Sequence, residues 1–123
     1  MSEVKSFRDL IVWQKAMHLA AETYRLSSSM PKVEQFRLTS QLLRAAASVP
    51  ANIAEGHARG TRKDYAHFVT IARGSLAETE TFLELCVNVG LLTHEQTAPA
   101  LALASEIGRM LNALVGRLRE PIS

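Results

Sequence analysis

The fold of this chain turns on Ser48-Val49-Pro50-Ala51-Asn52-Ile53-Ala54-Glu55-Gly56. The segment lies in the middle of a sequence that otherwise has the periodicity of apolar helix. A proline inside a helix removes one hydrogen bond and collides with the carbonyl four residues back, here that of Ala46, at a cost of roughly 3 kcal/mol or more. The residues around it are small and polar, and Gly56 stands where a helix would end in a left-handed residue. A segment that bears such a cost needs local compensation, so it is the point from which the fold is built.

Around this segment the spacing predicts a second helix over 31–56, kinked at Pro50. Its inward residues are Val33, Phe36, Leu42, Leu43, Ala46, Val49 and Ile53, and Arg37, Gln41, Arg44, Ser48, Asn52 and Glu55 form a polar stripe. Upstream, a first helix is expected over 9–27. Leu10, Trp13, Met17, Ala20 and Tyr24 share one face, and Val12, Leu19 and Leu26 add a further apolar stripe. That surface is wider than one core requires, and it fits either bundle packing or a subunit contact. Pro31 suits a first helical position. An antiparallel pairing about the turn at 27–31 would place Glu22 near Arg37 and Arg25 near Glu34.

Downstream, Thr61 and Asp64 suggest a capping box opening a third helix over 61–89, with Tyr65, Phe68, Ala72, Leu76, Thr79, Leu83 and Cys86 on its inner face. Gly74 inside it costs about 1 kcal/mol relative to alanine; close approach of helix two, opposite Ala45-Ala46-Ala47, would explain its presence. Thr93 and Gln96 form a second capping box for a fourth helix over 94–119, in which Pro99 implies a kink or a start delayed to Thr97. The expected architecture is all-α: one domain over 1–123, an antiparallel up-down-up-down four-helix bundle.

Composition narrows the function. The chain has 123 residues, 47% of them hydrophobic, and a formal charge of +2, too little to signal nucleic-acid binding by itself. Cys86 is the only cysteine, which excludes an intramolecular disulfide and a cysteine-based zinc site. None of His18, His57, His67 and His94 stands three residues after a glutamate, so the di-iron pattern of helical bundles is missing. No metal or cofactor is expected, and no strand-turn-helix elbow or phosphate-binding loop supports catalysis. The polar Met1–Ser6 segment lacks an apolar signal core, and no run of 18 apolar residues exists, so a soluble cytoplasmic protein without a membrane role is expected.

The Ser48-x-Pro50-x-Asn52-Ile53-Ala54-Glu55-Gly56 pattern resembles the signature of the four-helix bundle family also called 23S rRNA-intervening-sequence (S23) proteins. Phe7-Arg8-Asp9-Leu10 with Trp13, Leu38-Thr39-Ser40-Gln41-Leu42, and Ala72-Arg73-Gly74-Ser75 with Glu78 fit the same family. The resemblance implies a homo-oligomer, a pentameric ring of bundles. A related branch, the accessory variability determinant of diversity-generating retroelements, is similar in fold and works with a reverse transcriptase and nucleic acid. The family name comes from reading frames inside intervening sequences of rRNA genes and does not make these proteins ribosomal components.

Two constellations are candidates for function. Around the proline motif, Arg44, Ser48, Asn52, Glu55, Ser75 and Glu78 would meet if helices two and three pair about 56–60. One reading has Ser48, Asn52 and Ser75 satisfying backbone freed by Pro50 while Arg44 pairs with Glu78, and Glu55 with Arg62 or Lys63; the other makes the group a ligand pocket. The second constellation is His57-Ala58-Arg59-Gly60-Thr61-Arg62-Lys63. Arg62 and Lys63 in the first turn of a helix oppose its dipole, a conflict that an anionic partner would relieve. Arg59, Arg62 and Lys63 are the expected phosphate contacts, with Arg37, Arg109, Arg117 and Arg119 as secondary ones. The function this supports is a non-enzymatic, oligomeric accessory factor for RNA, DNA or a ribonucleoprotein; a homo-oligomeric protein–protein scaffold is the alternative.

Overall fold

Four helices carry the chain in the computed structural model, which describes residues 4–121: α1 (Ile11–Ser27), α2 (Leu38–Ala58), α3 (Arg62–Asn88) and α4 (His94–Leu118). The beginning of the polar N-terminal segment, Met1–Glu3, lies outside those residues. Short 3-10 turns, Phe7–Asp9 and Lys32–Glu34, precede α1 and α2. No strand occurs among the described residues, and none of the helices is long and apolar enough to cross a membrane.

Each helix contributes one stripe to a common core. Val12, Ala16 and Leu19 come from α1, and Leu42, Val49 and Ile53 from α2. Val69, Leu76, Leu83 and Cys86 come from α3, and Ala104, Ile107, Leu111 and Val115 from α4. Burying a side chain of Leu, Ile or Val size contributes about 1.5–3 kcal/mol, so this shared stripe is the main force holding the helices together. The buried threonines bring no unmet polar group with them. Thr23 Oγ1 donates to the Ala20 carbonyl and Thr79 Oγ1 to the Ser75 carbonyl, both inside their own helices.

The most extensive contact joins α2 and α3. Gly56 meets Phe68, and Ser48 meets Ser75, so residue numbers fall along one helix as they rise along the other. The same holds for α3 and α4, where Arg62 reaches Arg117 and Leu76 lies 3.5 Å from where a Cβ on Gly108 would stand. One end of the bundle therefore collects the start of α1, the α2–α3 connection and the end of α4.

Helix ends follow local chemistry, with several departures from expectation. Before α1, Ser6 and Asp9 form a capping box around the 3-10 turn, and α1 begins only at Ile11 because Leu10 is extended. Thr93 and Gln96 complete their capping box, and α4 begins at His94 and runs through Pro99 with no delay to Thr97. Thr61 caps α3 by accepting from the Asp64 N–H, without the reciprocal bond from the Asp64 side chain.

Helix α2 starts at Leu38, seven residues after Pro31, and Pro50 lies inside it. Val33 and Phe36 therefore belong to the connection and point outward, Phe36 being 87% exposed. Gly56 is helical; the left-handed residue after α2 is Gly60 (φ 89°), two residues past the last helical position, Ala58. The ion pairs expected across the α1–α2 turn are replaced by local ones. Arg25 binds Glu22 at 2.6 Å and Arg37 lies 3.8 Å from Glu34, each three residues apart, a distance that requires no tertiary alignment.

Candidate nucleic-acid interface

Gly56 and its neighbours make the joint between α2 and α3. A Cβ at Gly56 would stand 2.8 Å from Phe68 Cβ and 3.1 Å from Tyr65 Cδ1, so the missing side chain is what lets the first turns of α3 lie against the last turns of α2. His57 packs edge-on against Tyr65, with ring centroids 5.6 Å apart. Burial raises the Tyr65 phenol above its ordinary range, with the nearby Arg117 charge acting in the opposite direction. The close approach expected of Gly74 is not made: a Cβ there would meet nothing within 4 Å.

Two turns further along, the polar residues of the motif bond to one another. Asn52 Nδ2 donates to the Ser48 carbonyl and to Ser48 Oγ, both at 2.8 Å, and Ser75 Oγ donates to Ser48 Oγ at 2.8 Å. The amide of Asn52 thus serves the carbonyl of Ser48, not that of Ala46, whose partner Pro50 removes. Among the described residues no buried side-chain nitrogen or oxygen lacks a partner. Arg44 and Glu78 form no ion pair; both are exposed and line a small surface groove with Gln41, Ser48, Ser75 and Phe82. Glu55 is 3.8 Å from Arg59, one turn along, instead of from Arg62 or Lys63.

The basic residues at the α2–α3 connection are placed in three different ways. Arg59 lies over the Phe68 ring, 5.0 Å from its centroid, beside Glu55. Arg62 turns away from its own helix: its Nη2 donates to the carbonyl of Arg117 and, at 3.5 Å, to that of Glu120, at the end of α4. A cation at a helix C-terminus is favourable, so the conflict of Arg62 with the α3 dipole is relieved within the molecule. Lys63 is exposed and makes no side-chain hydrogen bond or ion pair with the described residues. It borders a notch of about 540 Å³ whose wall also includes Arg62, His67, Thr70, Arg119 and Glu120. Arg119 Nη2 donates to Thr70 Oγ1 across it at 3.3 Å. Sequence reasoning does not find His67 and Thr70, because their four- and seven-residue spacing from Lys63 becomes meaningful only once the end of α4 is known to lie alongside.

Charge is sorted along the bundle. Dividing each helix at its midpoint, the half that holds the α2–α3 connection carries Lys5, Arg8, Lys15, Arg59, Arg62, Lys63, Arg73, Arg109, Arg117 and Arg119 against Asp9, Glu55, Asp64 and Glu120. The other half carries Arg25, Lys32, Arg37 and Arg44 against Glu22, Glu34, Glu78, Glu80, Glu84 and Glu95, while Glu106 stands at the midpoint of α4, paired with Lys15. A net charge of only +2 thus conceals one basic and one acidic half. Of the secondary arginines, Arg109, Arg117 and Arg119 fall in the basic half and Arg37 in the acidic one.

A second surface feature lies between α1 and α2. Trp13, Met17, Ala20, Tyr24, Ala47, Pro50, Ala51 and Ala54 line an open apolar groove of about 480 Å³. Met17 and Tyr24, core residues by their spacing, are 44% and 60% exposed; the buried stripe of α1 is Val12, Ala16, Leu19, Thr23 and Leu26. Among the described residues no group of three or more His, Cys, Asp or Glu side chains is arranged to hold a metal ion.

Helices packed in this way around one apolar core make the protein an all-α four-helix bundle. Residues 8–113 match the pattern of the 23S rRNA-intervening sequence protein family, and the chain belongs to that family. It is also similar to a solved protein of unknown function from the S23 ribosomal protein family of Bacteroides thetaiotaomicron. The two share 27% identity and a TM-score of 0.77, over 85% of this chain and 98% of that one. No curated protein matches it.

Proposed function

We propose that this protein is a non-enzymatic, oligomeric accessory factor that binds nucleic acid or a ribonucleoprotein through its basic end. The observation that carries this reading is the separation of charge along the bundle. Phosphate contacts add, and each releases counterions, so a concentrated basic half binds a polyanion far better than an even scatter of the same charges. The acidic half repels it, which favours one orientation of approach. Lys63 and Arg119 offer cationic donors there. Arg59 and Arg62 add to the local potential, although both hold positions within the fold.

Fluorescence anisotropy with a structured rRNA fragment, at low and at near-physiological salt, tests the reading. Tight binding at low salt with a steep decline as salt rises is expected; no binding at low salt would remove the reading for RNA.

The scaffold alternative is supported by a specific feature, the apolar α1–α2 groove with Trp13 in its wall, together with Phe36, exposed in the α1–α2 connection. Burial of these surfaces between copies would give the homo-oligomer, a pentameric ring, without any role for the basic end. Light scattering over micromolar concentrations separates the cases: a monomer mass throughout rejects self-association in both readings, and an oligomer indifferent to RNA selects the scaffold.

A further inference from the structure

We infer that the notch between the start of α3 and the end of α4 is a phosphate-binding subsite for the backbone of a bound nucleic acid. It rests on the nucleic-acid reading above and assigns that reading a place. Three observations converge on it. First, Arg62, Lys63 and Arg119 border the same notch, with Glu120 as the only carboxylate among the described residues that line it. Three full positive charges against one negative charge, on a surface open to solvent, leave a concave site that favours an anion.

Second, two of these cations are held in place before any ligand arrives. Arg62 is tied to the Arg117 and Glu120 carbonyls, and Arg119 to Thr70 Oγ1. A guanidinium has five N–H donors, and these bonds use one nitrogen of each group, so both retain donors for phosphate oxygens. Fixing the side chains beforehand reduces the entropy lost on binding. Third, Lys63 supplies a charge that can move to a ligand without breaking any bond of the fold, and the exposed His67 imidazole stands one turn further along α3. At about 540 Å³ the opening accommodates a phosphate with part of its sugar. At the other end of the bundle, the groove around Arg37 is bordered by Glu34, Leu38, Leu85, Val89 and Leu91 and carries one cation.

The test is a salt series of single-stranded RNA binding by the full chain, comparing wild type with Lys63→Ala, Lys63→Ala/Arg119→Ala and, from the acidic half, Arg25→Ala/Lys32→Ala. For a single strand the slope of log K against log salt changes by about 0.7 for each phosphate that the protein no longer neutralises. The double variant at the notch should bind more weakly and with a flatter slope, Lys63→Ala alone should show about half the change, and the acidic-half variant should match wild type. Equal slopes for wild type and both notch variants, or equal weakening in the acidic-half variant, would overturn the assignment while leaving RNA binding itself established. Inorganic phosphate is titrated against backbone amide resonances as well, which reads anion binding at the notch independently of RNA. Shifts concentrated at Lys63, His67, Thr70 and Arg119 support the site whether or not RNA binds, and their absence counts against it.

Discussion

Gly56 in α2 and Phe68 in α3 stand so close that a Cβ on the glycine would lie 2.8 Å from the Cβ of the phenylalanine. Both partners of that contact are attached directly to main chain, so neither can swing aside. Gly56→Ala should therefore lower stability by about 1–3 kcal/mol, because the overpacking penalty exceeds the roughly 1 kcal/mol that alanine gains in helix propensity. Gly74→Ala, where open space surrounds the new methyl, should raise it by up to about 1 kcal/mol. Urea unfolding of the two variants side by side checks the contrast; destabilisation by Gly74→Ala would show that a neighbour covers that face.

The Asn52–Ser48–Ser75 chain of hydrogen bonds joins α2 to α3 at 2.8 Å per link. Replacing either Asn52 or Ser75 by alanine should cost about 0.5–1.5 kcal/mol, the net worth of a typical hydrogen bond. A double-mutant cycle between Ser48 and Ser75 should show coupling, since the two touch. If Asn52→Ala leaves the midpoint of thermal unfolding unchanged but abolishes binding of some small molecule, the group is a ligand pocket and not a structural bond.

Arg62 supports the end of α4 from the start of α3. Arg62→Ala should fray the last turn of α4 and lower stability by about 0.5–1 kcal/mol, reduced from larger values by solvent exposure. Amide exchange at 116–120 is the readout. Unaltered exchange there would mean that the guanidinium is free for ligands.

Lys15 Nζ lies 2.5 Å from Glu106 Oε1, and this hydrogen bond and charge hold the Glu106 carboxyl below its ordinary pKa. The Asp9 carboxyl is lowered too, first by the Lys5 N–H and then by that of Ser6. A depressed folded-state pKa stabilises the protein above the unfolded value, and that contribution disappears as pH falls through the folded one. Stability should therefore decline below about pH 4.5, from the ordinary carboxylate range downward. Lys15→Met should remove part of that decline, measured as unfolding midpoint against pH.

Cys86 is fully buried, and burial, followed by the charge of Glu34, raises its thiol above the usual value. The thiolate is the reactive form. A thiol-reactive disulfide reagent should label it slowly in native protein and completely after denaturation; rapid native labelling at neutral pH would show that the lower part of α3 opens.

Four amphipathic helices, the Thr93–Gln96 cap, and most of the inner faces of α3 and α4 are legible in the chain alone. Each of these is set within one or two turns, by spacing and by side chains reaching their own backbone. What such local rules leave degenerate is resolved by packing. On α1, two apolar stripes compete, and contact with α2 and α4 buries the one through Leu19 and leaves Met17 and Tyr24 outside. On α2, only the shape of Phe68 opposite it shows that Gly56 is a point of close approach and not a helix terminator. At the candidate site, Lys63 and Arg119 are 56 positions apart in the chain. Proximity between such residues comes from helices packing side by side, and no local pattern of residues encodes it.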